Sequence, residues 1–383
     1  MLAFLSTMVA RVVISPLVPD LTTDFGVSTG AIGLALSGMW AAYAITQFPS
    51  GVLADRHGER IVVLLAVGAT GLSSLLLALA PSYLLFLVLA VALGGAAGLV
   101  YSAAASLVTK QAEGTGRAIG VYIAGGPIAG LAAPPIAAAV GTRFGWRVAL
   151  ALGAIAAVPV FVLFARGVGP TEPAQPEASL SDQVDVSAVL ELLSRPAIAF
   201  TTVLAILGAF TWQATASFLP AFLEEFHGYS RTTASLLFSG YFVVHGLTQP
   251  LTGELSDRYS RNDATLLTMV VGVLGYGLFL VSSSIVVIGF AVALAGLAMS
   301  WGAPLQSQFM DALPEEEQGT GFGLVRTAYM SVGSLGSVVT GVLADVGGWP
   351  LAFGFLVVCL ALASSLLLAG RVSDVQTAGT PAD

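Results

Sequence analysis

Long apolar runs recur along the whole chain, and they restrict its fold more than any other feature of the sequence. A helix needs about 20 consecutive apolar residues to cross the roughly 30 Å hydrocarbon core of a membrane. Only 9% of the 383 residues are charged and 56% are hydrophobic, whereas a soluble domain carries roughly 25% charged residues. The sequence therefore excludes a soluble enzyme and predicts an all-α membrane protein.

Apolar runs separated by turn signals predict twelve transmembrane helices. The first six cover Leu2–Thr22, Ala31–Ala54, Ile61–Ala80, Tyr83–Thr109, Gly116–Val140 and Trp146–Ala165, and the second six cover Ala197–Leu223, Thr233–Leu255, Ala264–Ser282, Ile285–Phe309, Gly321–Ala344 and Trp349–Ala369. We predict an N-terminal six-helix bundle (1–166), a polar cytoplasmic linker with a short helix (167–196), a C-terminal six-helix bundle (197–370) and a cytoplasmic tail (371–383).

The two sets of six helices are related by an internal repeat. At one constant spacing, Ser37, Gly38, Thr46, Gln47, Gly51, Leu53, Asp55 and Arg56 recur as Ser239, Gly240, Thr248, Gln249, Gly253, Leu255, Asp257 and Arg258. Duplicated halves are common in transporters, whose substrate site lies between the halves near the middle of the membrane; gene duplication without that role is the alternative. In this register the first helix begins about one turn later than the seventh, so we expect the natural start to lie upstream of Met1.

The distribution of Lys and Arg indicates the orientation, because cationic residues are enriched in cytoplasmic loops. With both termini and the linker in the cytoplasm, nine cationic residues lie inside and three outside. The inside set is Arg56, Arg60, Lys110, Arg117, Arg166, Arg195, Arg258, Arg261 and Arg371, and the outside set is Arg143, Arg147 and Arg231. We therefore expect a multi-pass protein of the plasma membrane with both termini in the cytoplasm.

The loop after the second predicted helix carries a recognisable motif, Gly51-Val-Leu-Ala-Asp55-Arg56-His-Gly58-Glu-Arg60. It resembles the signature G-x-x-x-D-R/K-x-G-x-R/K-R/K of the major facilitator superfamily and departs from it at Ile61. A weaker copy follows the eighth helix. The resemblance covers essentially the whole chain. It implies two pseudo-symmetric six-helix bundles and secondary transport by alternating access, without covalent chemistry.

We expect the two copies of this motif to form a conformational latch consisting of Gly51, Asp55, Arg56, Gly58, Arg60, Asp257 and Arg258. Gly58 permits a turn with positive φ. The Asp55 carboxylate can accept hydrogen bonds from the N-terminal amides of a helix in the opposite half. The alternative is a stable turn whose cations anchor the loop at the membrane surface.

Candidate substrate-binding residues are the polar side chains predicted inside the membrane: Arg11, Gln213, His245, Gln306 and Arg326. An unpaired Arg at the membrane centre costs ~3 kcal/mol even on insertion scales, so its charge needs compensation. Arg11 resembles the substrate-contacting Arg in the first helix of anion-transporting members of the superfamily, which include anion:cation symporters, organophosphate antiporters and cyanate-permease-like proteins. Ala10 stands where the anion:cation symporters usually have an Asp before this Arg. Arg326 is equally well interpreted as an interfacial anchor, and His245 as a packing residue or a proton carrier.

Two transport functions fit these residues. The first is transport of a small organic or inorganic anion, coupled to H⁺ or Na⁺; the second is proton-coupled efflux of drugs or metabolites. Gly126-Pro127-Ile-Ala-Gly130 resembles the core of an antiporter motif, but Gly94–Gly98 lacks the Arg and Gln that drug antiporters carry in the fourth helix.

Several other functions are not expected from this sequence. It contains no phosphate-binding loop that would make ATP the energy source. It has no basic stripe for nucleic acid. We expect a monomer in the lipid bilayer with no catalytic residue, metal or cofactor.

Overall fold

The structure is a computed structural model that describes residues 1–111, 115–177 and 186–378. The first half contains Leu2–Val12 (α1), Val18–Phe25 (α2), Thr29–His57 (α3), Glu59–Ala78 (α4), Tyr83–Gln111 (α5), Thr115–Ile123 (α6), Gly125–Phe144 (α7), Trp146–Leu150 (α8) and Leu152–Gly167 (α9). Val186–Ser194 (α10) is a short helix in the second part of the predicted linker. The second half contains Pro196–Glu225 (α11), Arg231–Arg258 (α12), Arg261–Val281 (α13), Ile285–Ala298 (α14), Gly302–Ala312 (α15), Gln318–Gly333 (α16) and Leu335–Ala378 (α17).

The prediction of a multi-pass helical membrane protein is confirmed. Within the described ranges, ten helical segments are long and apolar enough to cross a membrane. The last of them, Gln318–Arg371, contains Gly348, whose φ of 74° is not helical and separates the predicted eleventh and twelfth spans. The 28-residue helix α12 occupies the position of the predicted eighth span but is more polar than these ten segments. The structure is therefore consistent with twelve spans.

Several predicted spans are continuous in the sequence but broken in the structure. The first span divides into α1 and α2 around a 3₁₀ turn at Ser15–Leu17. Pro16 and Pro19 explain this break, because proline lacks the N–H that continues a helical hydrogen-bond ladder. The tenth span divides at a second 3₁₀ turn, Met299–Trp301. Met299 and Trp301 of the second turn line the central cavity described below.

Glycines of α5 bring this helix into close contact with α3. A Cβ atom on Gly94 would lie 1.9 Å from the Met39 carbonyl oxygen, and one on Gly98 would lie 2.4 Å from that of Tyr43. Small residues permit such backbone contacts between membrane helices. The segment Gly94–Gly98, in which the polar pattern of drug antiporters is missing, therefore has a packing role here.

The two halves are joined most firmly at one end of the molecule. There, the Asp345 carboxylate accepts hydrogen bonds from the backbone amides of Thr29 (2.9 Å) and Gly30 (2.7 Å). Arg231 donates two hydrogen bonds to Asp20, at 2.6 and 2.7 Å. We call this end, with residues 20–31, 143–147, 224–231 and 345–349, the closed end. The opposite end, with residues 55–60, 165–175, 257–263 and 311–320, is the cavity end.

Candidate functional site

A central cavity of about 230 Å³ lies between the two halves. The first half lines it from α1, α3, α5, α6 and α7, and the second half from α11, α12, the 3₁₀ turn Met299–Trp301, α15 and α16. A second cavity of about 470 Å³ adjoins it and is lined down to Asp55 and Thr320 at the cavity end. The two cavities share four lining residues, which are Tyr101, Ile123, Gln306 and Arg326. Together the two cavities connect the middle of the molecule with the cavity end.

Arg11 lies in the last turn of α1 and lines the central cavity. Its side chain is 2% exposed, and its Nε donates to the Thr7 carbonyl oxygen at 3.2 Å. Its guanidinium carbon lies 3.8 Å from the ring centroid of Tyr43 and 5.0 Å from that of Trp40. Its Nη2 has no hydrogen-bond partner among the described residues, and no described carboxylate forms an ion pair with it. Aromatic faces and one carbonyl group therefore compensate the charge only in part.

Arg326 lines both cavities from α16, so its side chain faces the interior of the molecule and not the membrane surface. Its guanidinium carbon lies 4.2 Å from the ring centroid of Tyr101, which belongs to the opposite half. Its Nε has no partner within the described part of the chain, and it makes no ion pair there. The geometry therefore favours a role in the cavity over an interfacial anchor.

The neutral candidates differ in where their side chains lie. His245 and Gln306 both line the central cavity. Gln213 is 0% exposed and does not line it; its Nε2 donates to the Met330 carbonyl oxygen at 3.1 Å, which ties α11 to α16. Its neighbour Trp212 faces the cavity instead. Because the two residues are adjacent, sequence position alone could not decide which of them points inward.

Aromatic side chains form much of the cavity wall, and the sequence reasoning missed them. Two are Phe4 and Phe242, and the Tyr and Trp residues among them are Tyr43, Tyr101, Trp212, Trp301 and Tyr329. A signal did exist, because Tyr and Trp in membrane helices concentrate near the two interfaces, whereas these residues lie well inside predicted spans. Trp301 also packs on Gly208, where a Cβ atom would come within 2.5 Å of the indole ring.

The predicted latch loop at the cavity end folds as expected around Gly58, whose φ is +85°. Arg60 donates to the carbonyl oxygens of Val168 and Ala165, both at 2.7 Å, so it binds the start of the linker. Arg56 is exposed. The Asp55 carboxylate makes no hydrogen bond or ion pair with any other described residue, so it does not cap a helix of the opposite half in this conformation. Gly51 faces Ser102 of α5.

The second copy of the motif makes its contacts within its own half. Asp257 pairs with Arg261, which also donates to Asp311 at 2.9 Å. Arg258 pairs with Glu254 one turn earlier in α12. Its predicted part in a latch between the halves therefore stays a prediction.

Comparison with known proteins agrees with this architecture. A family model described as Major Facilitator Superfamily matches residues 1–230 and again 201–382. The hexuronate transporter of Bacillus subtilis is 25% identical over 97% of this chain and 93% of its own length. The probable nitrate transporter NarT of Staphylococcus epidermidis is 24% identical over 93% of this chain and 91% of its own length.

Solved structures show the same fold. A mutant form of the nucleoside transporter NupG superposes with a TM-score of 0.82 at 16% identity and covers 96% of this chain and 97% of its own. A bacterial homolog of the human lysosomal transporter Spinster, in an inward-facing and unoccupied conformation, has a TM-score of 0.79 at 17% identity and covers 100% of this chain and 97% of its own. With the repeated family match over both halves, these results show that the chain belongs to the major facilitator superfamily and is a membrane transporter, not an enzyme.

Proposed function

We propose that the protein is a secondary active transporter of a small organic or inorganic anion and that it works by alternating access. One observation carries this proposal: Arg11 and Arg326 both face the cavity between the halves, and no described carboxylate pairs with either. A buried charge without a partner is costly. A carboxylate or phosphate group would compensate it and accept charge-assisted hydrogen bonds from the free guanidinium N–H groups.

The relatives and the geometry support different parts of this proposal. The names of two similar proteins, a hexuronate transporter and a probable nitrate transporter, specify anionic substrates. The contacts at the closed end and the cavity at the other end are what one of two alternating conformations requires. We further propose that H⁺ or Na⁺ is the coupling ion and that His245, which lines the cavity, would be the residue to carry a proton.

We place the transporter in the plasma membrane with both termini in the cytoplasm, as the nine inside and three outside cationic residues indicate. The cavity end would then face the cytoplasm and the closed end the exterior. The division at residues 1–166, 167–196 and 197–370 is part of the same proposal, and we propose a monomer.

Efflux of drugs or metabolites remains a second candidate function, favoured by a specific observation. The cavity wall contains Trp212, Trp301 and three tyrosines, a lining that suits flat apolar compounds. The class E tetracycline resistance protein of Escherichia coli is 30% identical over 32% of this chain and 31% of its own length. The pair of unpaired guanidiniums weighs against cationic drugs as substrates.

Counterflow in proteoliposomes tests the proposal against this alternative. Vesicles with the purified protein are loaded with unlabelled glucuronate or nitrate and diluted into the same labelled anion; labelled anion should accumulate above the level in protein-free vesicles. Ethidium, a cationic drug, should show no counterflow in parallel vesicles. Counterflow of ethidium without that of any anion would overturn the anion proposal and leave efflux as the better one.

A further inference from the structure

The two unpaired guanidiniums come from opposite halves of the protein. Arg11 belongs to α1 and makes a cation–π contact with Tyr43 of the same half. Arg326 belongs to α16 and makes a cation–π contact with Tyr101 of the opposite half. Both line the same central cavity. We infer that the cavity binds a small dianion of the dicarboxylate type, with one acidic group on each arginine. This inference rests on the proposed anion transport and makes it more specific.

Charge balance is the first argument for a dianion. The other polar side chains that line the central cavity are neutral amides, tyrosine hydroxyls and one His, including Gln249, Gln306 and His245. A monoanion would therefore leave one guanidinium without a counter-charge. The cost of that residual charge rises when the cavity closes and water leaves, because electrostatic energies increase as the local dielectric constant falls.

The position of the arginines on opposite halves is the second argument. A substrate with two acidic groups can bind Arg11 and Arg326 together and so stabilise a state in which the two halves have closed around it. A ligand shifts a conformational equilibrium only by its different affinity for the two states. The cavity volume of about 230 Å³ lies below the ~300 Å³ of a drug-sized site, so the dianion should be small.

Matched pairs of ligands test this inference with purified protein. Thermal unfolding is followed at neutral pH with malonate, succinate and adipate, each beside its monoamide, which has nearly the same shape and one charge fewer. A ligand that binds the native state raises the melting temperature. At one chain length, the dicarboxylate should bind roughly tenfold or more tightly than its monoamide, as expected for loss of one charged hydrogen-bonding group. Arg326→Gln should remove this preference, whereas Arg166→Gln, a change at an exposed cation that does not line the central cavity, should keep it.

The possible outcomes separate this inference from the proposed function. Equal stabilisation by the diacid and its monoamide at every length, or stabilisation by monoanions alone, overturns the dianion inference while anion binding stands. A preference for the diacid that survives Arg326→Gln also overturns it. If no anion stabilises the protein and none shows counterflow, the proposed function itself is wrong.

An independent observation concerns two identical pentapeptides at opposite ends of neighbouring helices. Gly51-Val-Leu-Ala-Asp55 lies near the end of α3, and Gly341-Val-Leu-Ala-Asp345 lies in α17 before the break at Gly348. These helices run in opposite directions and touch: a Cβ atom on Gly33 would lie 2.6 Å from the Ser337 carbonyl oxygen. Each Asp therefore lies at an end of the molecule where a helix of the other half begins. That helix is α3 for Asp345 at the closed end and α16 for Asp55 at the cavity end.

The carboxylates of the two Asp residues differ in their hydrogen-bond partners. Asp345 accepts from the Thr29 and Gly30 amides at the N-terminus of α3, whereas the Asp55 carboxylate is free of partners in the described chain. Anions at a helix N-terminus are stabilised by the free amides and the helix dipole. We propose that Asp345 is a latch: it holds the closed end shut in this conformation and releases the Thr29 and Gly30 amides when that end opens.

Distance measurements between spin labels test the Asp345 latch. The labels are attached at Ser82→Cys and Val286→Cys, exposed sites near the closed end of the two halves, after the buried native Cys359 is replaced by Ser. Asp345→Asn and Asp345→Ala should both shift the distance distribution to longer distances, because a larger fraction of the molecules would have opened at the closed end. Asp24→Asn is the matched control, because Asp24 pairs with Arg147 within the first half (2.9 Å) and should leave the distances unchanged.

An unchanged distance distribution in a folded Asp345→Asn or Asp345→Ala variant overturns the latch. An equal shift in Asp24→Asn also overturns it, since the effect would then be one of surface charge. Before the spin labels are attached, reaction of the two cysteines with a membrane-impermeant maleimide in intact cells checks that the closed end faces outward.

Discussion

Arg11→Gln should reduce anion counterflow to nearly the level of protein-free vesicles. Arg11 is 2% exposed and offers the cavity a free Nη2, so it can donate charge-assisted hydrogen bonds that a neutral amide cannot replace. Such a loss corresponds to roughly tenfold to a hundredfold weaker binding. Arg11→Lys keeps the charge but not the planar fork of donors, so its activity should lie between those of the parent and Arg11→Gln.

Initial rates of counterflow and thermal-shift affinities for the same anion provide the measurements. Arg143→Gln is the control, because Arg143 is exposed at the closed end and does not line the cavity. Each variant is first compared with the parent by melting temperature, so that misfolding is recognised. Normal transport by Arg11→Gln, or a substrate that proves to be a cation, would refute the anion proposal and favour efflux.

Asp55→Asn should slow transport about two- to fivefold while leaving substrate affinity nearly unchanged. In the conformation described here the Asp55 carboxylate has no partner among the described residues. Replacing it with a neutral side chain therefore removes no stabilising contact from this conformation. In the state with the cavity end closed, we expect Asp55 to cap α16, and there the lost charge would cost about 0.3–1 kcal/mol. The balance between the two states would shift toward the present conformation.

Counterflow rate and thermal-shift affinity, measured on the same preparation, distinguish a gating defect from a binding defect. Asp24→Asn is the matched control, because Asp24 is a carboxylate of the same half that lies outside the predicted latch and pairs with Arg147 at 2.9 Å. A parental transport rate for Asp55→Asn would show that Asp55 only shapes the turn. A large loss of substrate affinity would also contradict the gating role.

Local features of the sequence predicted the overall fold well. Helix lengths follow from apolar runs, because the hydrocarbon thickness sets the span of a membrane helix. The turn at Gly58 could be predicted because its positive φ (+85°) depends mainly on the residue itself. Arg11 could be identified as an interior cation because few charges occur within apolar runs.

Only the tertiary structure decided which interior side chains face the cavity. Trp212 lines it while Gln213 binds the Met330 carbonyl group, and Arg326 points inward although its position near a helix end also suits an anchor. The physical reason is that a buried helix in a bundle is apolar on most of its faces, so its sequence carries little information on its rotation. Rotation is set by close contacts between helices, such as those of Gly94 with Met39 and Gly33 with Ser337, which join residues far apart in the chain. The sequence by itself thus determined the membrane-spanning helices and the unpaired charge, whereas packing between the helices determined the site.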